Sequence, residues 1–315
     1  MRIAILDDYF DAARHLADWG QLAGRADIQV FTEPLGGEEK AAKKLADFEI
    51  IVGMRERTPF PATLIRRLPK LKLLITTGMR NLSFDMEAAQ SQGVMVCGTG
   101  GVGNPTSELA VGMMIALMRD IHGQFGSMRQ GGWQTRPGYD LAGKTLGLLG
   151  LGRVGSAVAA VGNAFHMKVI AWSQNLTEQR AAECRARRVE KDELFRQSDV
   201  LSIHLILSGR TRGIVGAREL NMMKSIAYLV NTSRGEIVDE AALLKVLQEK
   251  RIAGAAIDVY GVEPLPADHA IRKLDNVLLT PHIGYVSAEN LAKMYRDAVE
   301  DIIAFLDGKP VRVLK

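Results

Sequence analysis

Three glycines at fixed spacing lie where a predicted strand gives way to a predicted helix. The strand covers Thr145 to Leu149, and the helix that follows runs to Ala164. Within Gly150-Leu-Gly152-Arg-Val-Gly155, the first glycine permits a tight turn and the second lets a pyrophosphate approach the backbone. The third allows the helix to pack closely on the strand. Because the helix N-terminus also offers unpaired N–H groups, these glycines predict a dinucleotide-binding loop.

The next predicted strand runs from Lys168 to Trp172. In dinucleotide-binding folds, the residue at the end of this strand contacts the adenosine ribose. A carboxylate at this place favours NAD, and its loss tolerates the 2′-phosphate of NADP. The chain has Ser173-Gln174-Asn175 here, and the first arginine, Arg180, comes a turn or two later. Ser173 and Gln174 are therefore candidate cofactor contacts, and the choice between NAD and NADP stays open.

Three downstream segments carry the residue types that acid–base and anion-binding chemistry uses. They are Asn231-Thr-Ser-Arg-Gly-Glu-Ile-Val-Asp-Glu240, Ala255-Ala-Ile-Asp-Val-Tyr260 running into Glu263-Pro-Leu-Pro266, and Thr280-Pro-His-Ile-Gly284. In this order and spacing they resemble signatures of the D-isomer-specific 2-hydroxyacid dehydrogenases. The resemblance is strongest from Gly143 to Gly284 and weaker across the rest of the chain. It implies an enzyme that moves a hydride between NAD or NADP and a small D-2-hydroxy acid or 2-keto acid.

Three residues of these motifs suit that reaction. His282 is the candidate general acid and base, because an imidazole with an ordinary pKa near 6.5 exchanges protons near neutrality. Glu263 would pair with it, since a nearby carboxylate favours the imidazolium and fixes the ring. Arg234 would hold the substrate carboxylate or polarise its keto group through a planar fork of donors. The resemblance assigns the same three roles.

The resemblance also implies a set of cofactor contacts. Asp258 ends a predicted buried strand and would accept a hydrogen bond from the nicotinamide carboxamide. His204 is interpreted as a cofactor-side backbone position, and Ile206 stands where many relatives have proline. The remaining implied contacts lie at the pyrophosphate, the adenine side, the nicotinamide ribose and the end of the histidine motif: Arg153 and Val154; Leu205, Ile206 and Thr211; Thr232 and Ser233; and Gly284.

Substrate contacts are expected from the first hundred residues. Thr77-Gly78-Met79-Arg80-Asn81 matches the position of a family loop whose backbone N–H groups cradle the substrate carboxylate. The usual pattern has small residues after the glycine, whereas this chain has Met79 and Arg80. Arg80 would add a cationic contact or face solvent, and Arg55 presents the same two alternatives.

The elements that position these residues read as two α/β series. Apolar runs alternate with helical spacing through residues 1–99 and again from Lys144, which predicts parallel sheets joined by crossovers. The family fold implies a flavodoxin-like substrate domain formed by residues 1–99 and 285–315, with a Rossmann cofactor domain, residues 100–284, inserted. The active site would lie in the cleft between them.

Helical signals near the two domain junctions are strong. A nearly all-apolar helix is predicted from Pro105 to about Ile121, followed by a glycine-rich stretch from Gly123 to Gly138. A long amphipathic helix is predicted from Ser287 to about Leu306. Family members commonly form dimers through the first helix and the stretch after it, so a homodimer is expected.

Composition excludes several classes of protein. The chain has 315 residues, 47% hydrophobic and 24% charged, which is ordinary for a soluble globular protein of two domains. The formal charge of +4 comes without aromatic residues between the basic ones, so no nucleic-acid partner is predicted. The dense basic run Arg185, Arg187 and Arg188 is interpreted as a solvated helix end.

Cysteine usage and the N-terminus point to a cytoplasmic protein. Cys97 and Cys184 are far apart without a partner motif, so neither a disulfide nor a metal site is predicted. The segment MRIAILDDYF lacks the basic start and long apolar run of a signal peptide, and no stretch approaches a membrane span.

Two other functions share this fold. Formate-type dehydrogenases need no general acid and place glutamine beside the histidine, and Glu263 argues against that class. Cofactor-sensing corepressors carry additional segments that this compact chain lacks. Glyoxylate, hydroxypyruvate, phosphohydroxypyruvate and larger keto acids all fit the three catalytic candidates, so the sequence leaves the substrate open.

Overall fold

The protein forms two compact α/β units. The structure, a computed structural model, describes residues 1–314. One unit comprises Met1–Gly103 and Val286–Lys315, and the other comprises Asn104–Tyr285. Each unit is built on one all-parallel sheet with alternating helices, so the fold class predicted from the sequence is confirmed.

The first unit begins with five strands in the order β2-β1-β3-β4-β5. Buried runs such as Ile50-Ile-Val-Gly53 are apolar throughout because helices cover both faces of a parallel sheet. The elements in chain order are β1 Arg2–Ile5, α1 Ala13–Leu16, a 3-10 turn Trp19–Leu22, β2 Asp27–Val30, α2 Glu38–Leu45, β3 Ile50–Gly53, α3 Ala62–Ile65, β4 Leu73–Thr76, α4 Met86–Ser91 and β5 Met95–Gly98.

The second unit has seven strands in the order β12-β11-β10-β9-β6-β7-β8. Its elements are α5 Pro105–Met118, α6 Ile121–Arg129, β6 Thr145–Leu149, α7 Arg153–Ala164, β7 Lys168–Trp172, α8 Glu178–Glu183, β8 Arg187–Arg188, α9 Lys191–Gln197, β9 Val200–Ile203, α10 Ala217–Met222, β10 Tyr228–Asn231, a 3-10 turn Gly235–Ile237, α11 Glu240–Gln248, β11 Gly254–Ile257, a 3-10 turn Ala270–Lys273 and β12 Val277–Leu279.

Alternate residues of the central strands feed two separate hydrophobic cores in this unit. Leu229 lies in one core and Val230 in the other, as expected when successive side chains point to opposite faces. Because β6, β9, β10 and β11 are parallel, their carboxyl ends lie at the same edge of the sheet. The loops that leave this edge carry the residues singled out from the sequence.

Two local predictions are wrong. The helix expected to continue to Ile121 ends at Met118, because Asp120 takes a left-handed conformation (φ 52°) and is held by two bonds from Arg136. A second helix, α6, then covers the first part of the glycine-rich stretch, from Gly123 to Arg129. The basic run is a helix end only at Arg185, which directly follows α8 and its C-cap residue, because Arg187 and Arg188 form an edge strand paired with β7.

The last helix, α12, spans Ala288–Leu306, close to the predicted bounds, and completes the first unit; Ser287 caps its N-terminus. Tyr295 is fully buried on this helix and meets Trp19 edge-to-face at 6.2 Å. The chain then runs back along β5, where Val313 pairs antiparallel with Cys97. Among residues 1–314, no helix is long and apolar enough to cross a membrane.

A buried carboxyl group lies beneath this returning segment. Asp301 is fully buried, and its Oδ1 accepts a 2.9 Å bond from Arg312, which also pairs with Glu300. Its Oδ2 has no hydrogen-bond partner within the described chain. The pKa of Asp301 is raised to about 7, mainly by burial and also by the charges of Asp297 and Glu300, against the opposing charge and hydrogen bond of Arg312.

Asp301 should make the stability of the protein depend on pH. Between its unfolded pKa near 4 and its folded pKa of about 7, the folded protein holds a proton that the unfolded chain releases. The free energy of unfolding therefore falls as pH rises through this window, by at most about 1.4 kcal/mol per pH unit from this group. Urea denaturation from pH 5 to pH 8 should show a smaller fall for Asp301→Asn than for the parent.

The exposed Asp268→Asn provides the control and should follow the parent curve. Parallel curves for parent and Asp301→Asn across this range would contradict the assignment.

Candidate active site

The glycine loop after β6 is tight on one side and open on the other. Gly150 has φ 106°, and a Cβ there would lie 2.7 Å from the His204 carbonyl oxygen. A Cβ at Gly155 would lie 2.2 Å from the Gly150 carbonyl oxygen, so both positions require glycine. Gly152 has nothing within 4 Å of its would-be Cβ, which leaves space for an approaching group.

The start of α7 fits an anion. Gly152 is its N-cap residue, and within residues 1–314 no side chain caps this end. The first turn of such a helix has N–H groups without an intrahelical partner, and Arg153 and Val154, the predicted pyrophosphate contacts, lie in this turn. Arg153 Nη1 also donates to Asn104 Oδ1 at 3.1 Å.

A second fitting feature lies in the loop after β10. Thr232 is 6% exposed, and its hydroxyl is buried without a hydrogen-bond partner in the described chain. Neighbouring groups are already paired, since Ser233 Oγ donates to the Leu205 carbonyl and Ser233 N–H donates to Asn231. An unpaired buried hydroxyl is costly unless a ligand satisfies it, so Thr232 suits contact with a bound dinucleotide.

The residues that were predicted to lie near the adenine are on the neighbouring loop, after β9. Ile206 is 69% exposed, whereas Leu205 packs against the hydrophobic core. The Thr211 hydroxyl donates to the Ile206 carbonyl at 2.7 Å and accepts from Ser208 N–H, so it shapes its own loop. His204 lies under the glycine loop, and burial lowers its pKa to about 4, so it is neutral at physiological pH.

The end of β7 presents Ser173, half-buried, and Gln174, exposed. Arg180 is turned toward other partners. Its guanidinium donates to Ser156 Oγ at 2.8 Å and to Glu183 at 3.0 Å. The structure therefore adds no arginine fork next to Ser173.

His282 and Glu263 form a close pair. His282 Nδ1 lies 2.6 Å from Glu263 Oε2, and the other carboxylate oxygen accepts from Tyr260 N–H at 2.9 Å. Burial of Glu263 would raise its pKa, but the bond to His282, the charge of His282, the Tyr260 N–H and the charge of Arg234 outweigh it. The pKa of Glu263 therefore lies below its usual value, and the group stays ionised.

The backbone at His282 is strained, with φ 53°, a left-handed conformation that favours glycine. Asp258, fully buried below it, stabilises this turn. Asp258 Oδ1 accepts from Thr280 Oγ1 (2.6 Å) and Ile283 N–H (2.8 Å), and Oδ2 accepts from Gly284 N–H (2.8 Å). Burial raises the pKa of Asp258, opposed by these bonds and by the charge of His282. Oδ2 accepts only the Gly284 bond from the described residues, so it can accept another.

The loop that carries Arg234 abuts the loop that carries Glu263. A Cβ at Gly235 would lie 2.3 Å from the Tyr260 carbonyl carbon, so only glycine allows this approach. Arg234 Nη1 donates to the Ser233 carbonyl at 2.8 Å, and Asn231 Nδ2 donates to the Arg234 carbonyl. Arg234, Glu263 and His282 are thus brought together at one edge of the second sheet.

The predicted substrate residues cluster in the first unit. Arg55 (φ 52°) and Gly78 (φ 110°) are in contact, because a Cβ at Gly78 would lie 2.0 Å from Arg55 Nη1. Met79 and Arg80 are exposed. Gly78 N–H donates to Thr99 Oγ1 at 2.9 Å, so this one N–H group of the loop is already paired within the first unit.

Two residues were missed by sequence reasoning. Asn81 ties the loop after β4 to that after β3 by donating to the Arg55 carbonyl. Tyr260 binds Glu263 through its N–H, and its hydroxyl lies 3.0 Å from the Thr280 carbonyl oxygen. Neither residue stands out by type or spacing. Among the described residues, no group of His, Cys, Asp and Glu side chains could hold a metal ion.

Comparison with known proteins identifies the family of this chain. A family model described as D-isomer specific 2-hydroxyacid dehydrogenase, NAD binding domain, matches residues 111–284. A glyoxylate reductase of Aeropyrum pernix is 38% identical over 256 residues, covering 78% of this chain and 76% of the relative. A hydroxypyruvate reductase of Thermotoga maritima is 34% identical, covering 89% and 92%.

Solved structures agree with the sequence comparison. A phosphoglycerate oxidoreductase from Vibrio cholerae superposes with a TM-score of 0.93 at 35% identity, covering 98% of this chain and 99% of the other. The resemblance inferred from the three motifs and the use of a nicotinamide dinucleotide are confirmed. The chain belongs to the D-isomer-specific 2-hydroxyacid dehydrogenase family and is an NAD(P)-dependent oxidoreductase of that family.

Proposed function

We propose that the protein reduces a small 2-keto acid to the D-2-hydroxy acid, with His282 as the proton donor. The observation that carries this is the 2.6 Å contact of His282 Nδ1 with Glu263. Because the carboxylate occupies Nδ1, the other ring nitrogen, Nε2, is left to give a proton to the ketone oxygen. Nε2 has no hydrogen-bond partner within the described residues, which supports this role.

Arg234 binds the substrate carboxylate or keto oxygen in this proposal. Its guanidinium is a fixed fork of donors, and its loop packs at Gly235 against Tyr260, next to the loop that carries Glu263. The nicotinamide, when bound, supplies the hydride. Asp258 then serves twice, holding the His282 turn and accepting from the carboxamide.

Glu263 distinguishes this reaction from formate oxidation. A carboxylate that remains ionised favours the imidazolium needed for proton donation, whereas formate oxidation needs no general acid. Relatives named glyoxylate reductase and hydroxypyruvate reductase support a short 2-keto acid as substrate. A panel from glyoxylate to larger keto acids would identify the preferred one.

We assign the unit Asn104–Tyr285 to cofactor binding and the other unit, with Arg55, Gly78, Met79 and Arg80, to the substrate. Both cysteines are free thiols, which supports the cytoplasm as the location.

We further propose that the protein is a homodimer that pairs through α6. Ile121, Phe125 and Met128 are each at least half exposed, and their spacing places them on one face of the helix. Trp133, just after α6, is 73% exposed. A cluster of four large apolar side chains on a surface is typical of an interface.

The acid–base role predicts a specific loss in His282→Asn. Asparagine tolerates the left-handed backbone but cannot act as the acid, so turnover should fall at least about a hundredfold while NADH binding is retained. His166→Asn is the matched control, because His166 is also left-handed (φ 56°) but exposed. Near-normal turnover in His282→Asn would remove His282 from the mechanism.

The parent protein should show only a modest preference between NADH and NADPH. Ser173 and Gln174 can donate to a ribose hydroxyl or to a phosphate, and Arg180 is engaged with Ser156 and Glu183. Ser173→Asp should shift the ratio of kcat/KM with NADH and NADPH toward NADH, because a carboxylate repels the 2′-phosphate. Gln92→Asp, in the other unit, adds the same charge and should leave the ratio unchanged. A parent preference for NADH above about a thousandfold, roughly 4 kcal/mol, would overturn the proposal.

The dimer predicts a change of mass in Phe125→Asp. A buried charge at the centre of an apolar interface is costly, so light scattering should report the mass of one chain instead of two. Phe165→Asp, at an exposed position on a different helix end, should remain dimeric. A dimeric Phe125→Asp at micromolar concentration would place the interface elsewhere.

A further inference from the structure

The loop that carries Glu263 has little hydrophobic support of its own. Seven of the eight residues from Gly261 to Asp268 are exposed, and Leu265 is the exception that packs against the core. The carboxylate must nevertheless lie within hydrogen-bond reach of His282. Polar contacts from outside the loop have to supply that order.

Arg272, in the 3-10 turn Ala270–Lys273, makes the main contact of this kind. Its Nε donates to the Pro266 carbonyl at 2.9 Å, and its Nη2 donates to the Leu265 carbonyl at 2.8 Å. One planar guanidinium therefore fixes two consecutive carbonyl groups. The end of the loop is tied separately, since His269 Nε2 lies 3.0 Å from Glu240 on α11.

The short segment from Glu263 to Pro266 is stiff, so holding the Leu265 and Pro266 carbonyls also restricts Glu263. Pro264 and Pro266 have φ locked by their rings, and the residue before each proline is itself restricted. Few torsions are left free along Glu263-Pro-Leu-Pro266. Fixing the carbonyls of Leu265 and Pro266 therefore fixes the direction in which the chain leaves Glu263.

We propose that Arg272 is a positioning residue for the reaction, acting through Glu263 by clamping the Leu265 and Pro266 carbonyls. This inference rests on the proposed roles of Glu263 and His282. Arg272 touches neither His282 nor Glu263 by a hydrogen bond, so its effect passes through the backbone. It makes the geometry of the acid–base pair depend on a side chain at the protein surface.

The test compares Arg272→Gln and Arg272→Lys in single-turnover reduction of a keto acid by NADH. Both lose the two-carbonyl clamp, although lysine keeps the charge. Each should slow hydride transfer on the order of tenfold, the scale of a small misplacement of a catalytic group, with the Kd for NADH and the KM for keto acid within about twofold of the parent. A parent rate in Arg272→Lys would show that charge matters and the clamp does not.

A double-mutant cycle with Glu263→Gln decides the route. If Arg272 acts through Glu263, adding Arg272→Gln to Glu263→Gln should slow the reaction no further. An undiminished additional loss would overturn the proposal. A parent rate in Glu263→Gln alone would instead overturn the proposed function, so the two failures are distinguishable.

Arg251→Gln is the matched control. Arg251 also donates to two backbone carbonyls, those of Asn221 and Met223, in the same unit but away from the loop. It should leave hydride transfer unchanged. An equal loss in Arg251→Gln, or loss of NADH binding or of folding in Arg272→Gln, would mean that Arg272 supports the unit in general and would overturn the inference.

Discussion

The hydrogen bonds of the buried Asp258 carboxylate hold together the edge of the second sheet that carries the candidate active site. Asp258 directly follows β11, the neighbour of the edge strand β12, and accepts bonds from the Thr280 hydroxyl and from two N–H groups of the segment that follows β12. These bonds satisfy a charge that burial would otherwise make costly. They also bend the chain so tightly that His282 must adopt a left-handed backbone. The direction of the His282 side chain is therefore fixed by hydrogen bonds to a buried residue.

Around that turn, the remaining groups are placed by contact between loops. Gly235 lets the Arg234 loop lie against Tyr260, and Tyr260 in turn binds Glu263 through its backbone. Tyr285 meets the His282 ring edge-to-face at 5.8 Å, on a further side. The site is a set of short loops packed on one another at the ends of parallel strands, as expected where ligands bind in open α/β sheets.

What could be read from the sequence followed from patterns with a local physical cause. Apolar runs predicted both ends of β6 and β7 correctly. Gly150, Gly152 and Gly155 mark a loop whose steric requirements come from residues close to it. The break at Asp120 was not readable, because it depends on Arg136, sixteen residues away. The bond from Gly78 N–H to Thr99 Oγ1 was not readable either, since Thr99 follows a different strand. Long-range partners of this kind leave no mark in spacing.

The first unit is built from two distant parts of the chain, and this has a consequence for how it forms during synthesis. Its five strands emerge early, but α12, with Tyr295 against Trp19, and the segment that covers β5 come from the final residues. At about 5–20 residues per second, the intervening unit takes roughly ten to forty seconds to translate. By the end of that time the second unit has all of its own chain and can fold on the ribosome. The first must wait with an uncovered sheet face and an open strand edge, so it is the part of the nascent protein most in need of a chaperone.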